Sequence, residues 1–118
     1  MENFEVDFFK LDNGECPVKE YLDGTDKKMR AKMLWTIGLL ETNGNMLGMP
    51  YSEFLQDGIF ELRAKQGSDI SRVLYFFCIG KKIILTQGFD KKTNKVPQSE
   101  IDTAKKYRDI YLRRQKGE

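Results

Sequence analysis

Residues 58–97 constrain the fold more than any other stretch of the chain, because they read as three successive strands joined by short turns. Phe60, Leu62 and Ala64 alternate with Glu61, Arg63 and Lys65, the period-two pattern of a strand with one buried face. Gln66-Gly67-Ser68-Asp69 supplies a hairpin turn. Ser71 to Ile79 is apolar on both faces, with Arg72 the exception near its start, and so reads as a central strand covered from both sides. Gly80-Lys81-Lys82 is a second turn, and Ile83 to Phe89 a third strand.

The rest of the chain reads as elements that cover this meander. Phe4-Glu5-Val6-Asp7-Phe8 alternates apolar and acidic residues and is expected to be a half-buried strand, followed by a turn at Asp12-Asn13-Gly14. Pro17 suits a first helical position, with Val18, Tyr21 and Leu22 at helical spacing and a stop near Gly24. Thr25 is the expected cap of a second helix, whose stripe is Met29, Met33, Ile37 and Leu40. Trp35 lies off that stripe and is expected against the first helix. Asn43-Gly44-Asn45 ends the helix, and residues 45–57 read as an irregular connection. Ser99, with Asp102 at capping-box spacing, opens a last helix that packs through Ile101, Ala104, Tyr107 and Tyr111 and ends in a basic tail. The predicted architecture is a single α+β domain over residues 1–118, of order β-α-α-β-β-β-α, with an antiparallel meander sheet and helices on one side.

Composition excludes several functions. The chain contains no histidine, which removes the usual neutral-pH proton shuttle, most zinc sites and Ser-His or Cys-His nucleophile systems. Cys16 and Cys78 have no metal-ligand spacing and read as packing residues. No metal or cofactor is implied. No apolar run reaches the roughly 18 residues of a membrane span, and the acidic N-terminus lacks the apolar core of a signal peptide. The expectation is a cytoplasmic protein that does not enter membranes.

Net charge is only +2, but it is unevenly spread. Residues 1–57 hold six Lys or Arg against eleven acids, whereas residues 58–118 hold fourteen against seven. The stretch 58–97 alone carries eight cations and three acids. A sheet that keeps so many cations is expected to face a polyanion.

Several segments, taken in order, carry a family resemblance. They are Asp57-Gly58-Ile59-Phe60-Glu61-Leu62-Arg63, then Ser71-Arg72-Val73-Leu74-Tyr75, then Gly88-Phe89-Asp90-Lys91-Lys92-Thr93-Asn94-Lys95-Val96-Pro97, then Glu100-Ile101-Asp102-Thr103-Ala104, after a helical pair in residues 17–43. In this combination the chain resembles the RelE/HigB-type toxins of bacterial toxin–antitoxin modules, specifically their phage-derived HigB-like branch. The resemblance implies a RelE-like fold and a ribosome-dependent endoribonuclease that cuts mRNA and stops translation. It also implies a cognate helix-turn-helix antitoxin as partner, with operator DNA bound only through that complex.

The residues can be matched to the chemistry such an enzyme needs. Metal-free RNA cleavage uses the neighbouring 2′-OH as nucleophile, and requires a base, a proton donor for the leaving 5′-oxygen and cations around the phosphate. Arginine grips phosphate oxygens with a planar fork and stays charged. Arg63 and Arg72 come together across the hairpin and are assigned to transition-state stabilisation. Lys91 or Lys92, beyond the third strand, is the candidate base or acid, since neighbouring cations lower a lysine pKa. Lys65 and Lys95 are assigned to the RNA backbone, and Phe89 either to base stacking or to the core. Some RelE-type toxins use a C-terminal Tyr or His, but here Tyr107 and Tyr111 fall on a packing face, so the proton-transfer residue stays open. Two other readings use the same basic half: a non-catalytic RNA- or ribosome-binding module, and a phage structural protein that docks on an acidic partner.

Overall fold

A computed structural model of the chain describes residues 3–90 and 95–117. The elements run β1 (Glu5–Phe8), α1 (Pro17–Asp23), α2 (Lys27–Asn43), β2 (Ser52–Gln56), β3 (Ile59–Gln66), β4 (Asp69–Cys78), β5 (Lys82–Asp90) and α3 (Gln98–Gln115), with a short 3-10 turn at Gly44–Met46. The fold is α+β, consistent with the RelE-like arrangement. The three expected strands are present, and both hairpin turns fall where the Gly-containing segments place them.

The sheet differs from a pure antiparallel meander in two ways. It has five strands in the order β1-β5-β4-β3-β2, and β1 joins β5 in parallel, with Glu5 opposite Lys82 and Phe8 opposite Leu85. The segment expected to be irregular contains β2, an edge strand antiparallel to β3 with Ser52 opposite Leu62 and Phe54 opposite Phe60. Its residues, Ser-Glu-Phe-Leu-Gln, include no β-branched side chain. Pairing with β3 makes it a strand, and that signal lies outside the segment.

Helices cover both faces of the sheet, not one. Helices α1 and α2 place Val18, Leu22, Met29, Met33, Ile37 and Leu40 against Leu62, Ala64, Val73, Tyr75, Ile83 and Leu85. Helix α3 places Ile101 and Ala104, with Tyr107 and Tyr111 beside them, against Ile59, Leu74, Phe76 and Ile84 on the other face. The two-sided apolar pattern of β4 requires this, since an exposed second face of Leu74 and Phe76 would leave a large apolar patch in water.

Helix starts also differ from the expected caps. Asp26, not Thr25, caps α2 by accepting from the Met29 N–H at 2.8 Å, and the Thr25 hydroxyl instead donates to the Leu22 carbonyl at 2.7 Å. Helix α3 begins one residue before Ser99, after Pro97. Trp35 does not pack on α1. It is 52% exposed and meets Tyr51 edge-on at 6.0 Å. No helix among the described residues is long and apolar enough to cross a membrane.

One contact locks α1 to the sheet. A methyl group built on Gly88 of β5 would overlap the ring of Tyr21, so only glycine lets the helix approach this closely. Gly88→Ala is expected to destabilise the protein by about 1–3 kcal/mol in chemical denaturation. Adding Tyr21→Leu should recover part of that loss. Equal losses with and without the second change would show that the ring is not the obstacle.

Candidate active site

The face of the sheet beneath α3 carries the arginines. Side chains alternate along β3, so Ile59, Glu61, Arg63 and Lys65 share one face, while Arg72, Leu74 and Phe76 of β4 share the same one. The register sets Arg63 directly opposite Arg72, as the hairpin between them requires.

Glu61 holds the two arginines together. Its Oε1 accepts from Arg63 Nε at 2.8 Å, and its Oε2 lies 2.5 Å from Arg72 Nη1. Glu61 and Arg72 are among the most buried groups of the chain, at 1% and 2% exposure, whereas Arg63 keeps 23%. Arg63 also reaches the exposed Glu53 of β2 through Nη2, and its Nη1 lies 3.7 Å from Met49 Sδ. Glu53 and Glu61 are themselves cross-strand neighbours. Two carboxylates and two guanidiniums thus alternate over three adjacent strands, and formal charge cancels within the group.

This arrangement differs from an open phosphate clamp made by two arginines. Arg72 is enclosed, and a carboxylate already lies against its guanidinium. Arg63 is the member of the pair with access to solvent, on the side of Glu53.

The other sequence candidates fall around this group. Phe89 sits opposite Arg72 and packs against the α3-side core, so its ring is partly buried there. Lys65 is exposed near the β3–β4 turn. Lys95 lines a cleft of about 610 Å³ between β2 and the start of α3, together with Glu53, Gln56, Val96, Gln98 and Ile101. Glu53 therefore belongs both to the cleft and to the charge group. Lys91 and Lys92 lie outside the described residues. Gln87 closes this side, its Nε2 donating to the Glu100 backbone carbonyl at 2.7 Å and tying β5 to the first turn of α3.

Across the sheet, Asp90 at the end of β5 is held by Tyr21. The phenol donates to Asp90 Oδ1 at 2.6 Å and lies 2.7 Å from the Ser71 hydroxyl. Burial, then the hydrogen bond to Asp90, raises the Tyr21 pKa well above its ordinary value of 10.0. The sign of the resulting pH effect follows. Above pH about 10 the unfolded chain releases this proton before the folded one does, so stability falls as pH rises. Below pH 10 the contribution is fully present. Tyr21→Phe is expected to give a shallower alkaline loss of stability than wild type, read from denaturation midpoints across that range. Parallel curves would exclude Tyr21 as a source of it.

The sequence sets Glu61 on the face of Arg63 and offers it as a partner for that arginine, but its burial against Arg72 depends on α3 lying over that face. Glu53 is the member the sequence does not offer, because it lies in a segment that reads as an irregular connection.

Residues 20–109, a span that includes Glu53, Glu61, Arg63 and Arg72, match the family model described as Phage derived protein Gp49-like (DUF891). The chain belongs to this phage-derived Gp49-like family, a RelE-like, toxin-associated group. No curated protein matches it.

Proposed function

We propose that the protein is the toxin of a type II toxin–antitoxin module of the HigB-like branch, an endoribonuclease that cleaves mRNA on the ribosome. The observation that carries this reading is the family match, which spans the whole charge group. The chemistry needed is metal-independent attack of a 2′-OH on the adjacent phosphate. Arg63, oriented by Glu61 and reached from solvent on the side of Glu53, is the group that meets the phosphate in exchange for Glu53 and stabilises its transition state. Arg72 acts through Glu61, fixing the carboxylate that aims Arg63. Lys91 and Lys92 follow Asp90 directly in the chain and are the proposed proton-transfer residues. Lys65, Lys95 and Phe89 border the path of the RNA. A helix-turn-helix antitoxin is the proposed partner and the ribosome the working site, both in the cytoplasm.

The neutralised state of the arginines favours one second reading, a module that binds RNA or the ribosome without cutting. Induced expression with mapping of mRNA 5′ ends separates the two. Growth arrest with new cuts inside translated frames is the expected result. Ribosome association by a folded protein, with neither arrest nor cuts, would leave only the binding module.

A further inference from the structure

Helix α2 presents a second surface, on the face of the sheet opposite the arginines. Its buried side is Met29, Met33, Thr36, Ile37 and Leu40. Its outer side carries Leu34 and Trp35, at 49% and 52% exposure. Lys32 Nζ lies 5.0 Å from the centre of the Trp35 ring, and Tyr51 extends the aromatic surface toward the edge strand. Gly38, one turn on from Leu34, has open space where a side chain would stand.

The charge on this helix is unusual for its place. Four of the six cations in residues 1–57 fall between Lys27 and Lys32, and no acid occurs from Lys27 to Leu40. Arg30 is used internally, donating to the Leu22 and Thr25 carbonyls at 2.9 and 3.0 Å. Lys27 and Lys28 are exposed in the first turn of α2 and make no ion pair among the described residues. Cations there face the positive end of the helix dipole, an unfavourable electrostatic term. An anionic partner would reverse the sign of that term.

We infer that the outer face of α2 is a docking surface for an acidic amphipathic segment of a partner protein. Apolar side chains of that segment cover Leu34 and Trp35, and its carboxylates meet Lys27, Lys28 and Lys32. An apolar aromatic centre with charge at its rim is the composition of a protein interface. A nucleic-acid surface would spread its cations across the patch, and a membrane-bound helix would need a broad apolar stripe, which α2 has already turned toward the core. The surface lies across the sheet from Arg63 and Arg72, so its occupation leaves them uncovered. The inference does not depend on the nuclease reading.

Trp35 is the only tryptophan of the chain, so its emission reports on this surface directly. The probe is a synthetic helical peptide with leucines at helical spacing and glutamates elsewhere, titrated into the full chain. A saturable blue shift is expected, weakened about tenfold when Lys28→Glu and Lys32→Glu are combined. The reversed variant is expected to gain affinity for the matching lysine–leucine peptide. Binding that is unchanged by the reversal would overturn the inference. So would a shift produced by anionic lipid vesicles or an RNA oligonucleotide but not by the acidic peptide, or no shift with any of the three.

Discussion

Glu61→Ala is expected to cost about 3–5 kcal/mol of stability, the range for removing one partner of a buried ion pair. The substitution leaves Arg72 enclosed, with Arg63 directly across the strand pair and no carboxylate between them. Arg72→Ala should cost less, because Glu61 keeps its 2.8 Å bond to Arg63. The ordering is therefore asymmetric, with the acid mattering more than the base. Replacing both members with apolar residues of similar volume should return most of the loss, since a well-packed pair avoids the desolvation of two charges. Urea titration of the three variants at one pH measures all of this, provided the denaturant dependence keeps its slope. A loss below about 1 kcal/mol for Glu61→Ala would place the pair with ordinary surface bridges.

The second large effect concerns activity. Under the proposed function, Arg63→Ala should slow mRNA cleavage about 10²–10³-fold, as loss of one preorganised transition-state donor does. Arg63→Lys should recover only part of this, because an ammonium lacks the planar fork. Glu53→Gln should act in the opposite direction. Glu53 is exposed and occupies one edge of the Arg63 guanidinium, where a phosphate oxygen would otherwise bind. Removing its charge should leave cleavage at least as fast and tighten RNA binding. Single-turnover cleavage on programmed ribosomes measures each. Equal rates for Arg63→Ala and wild type would take Arg63 out of the chemistry, whatever the fate of the toxin reading.

Much of this architecture can be read in the sequence. The alternation of β3, the two-sided β4 and the glycine-containing turns are local patterns, and the strands formed where those patterns lie. The α2 stripe is likewise local, and all four of its residues are buried. What could not be read is non-local. The β2 strand depends on its pairing with β3. The parallel docking of β1 depends on a partner about 80 residues away. The covering of the arginine face by α3 decides whether Glu61 is a surface charge or a buried one, and no feature of Glu-Leu-Arg records that.

The cross-strand register explains why the arginines needed those carboxylates. Arg63 opposes Arg72 and Glu53 opposes Glu61, two like-charge pairs that would each be unfavourable alone. Set side by side they neutralise one another, and the face that appears strongly basic in the sequence is balanced at its centre.

The parallel seat of β1 also imposes an order of events. Residues 5–8 are made well before their partners, and their place in the sheet exists only once residues 82–85 have been added and the β4–β5 hairpin has closed. The β1 segment must therefore wait, unpaired, through the synthesis of nearly the whole domain, and its docking is a late step with a long loop to close. A ribosome in the act of making this chain thus holds an incomplete sheet until β5 has been made.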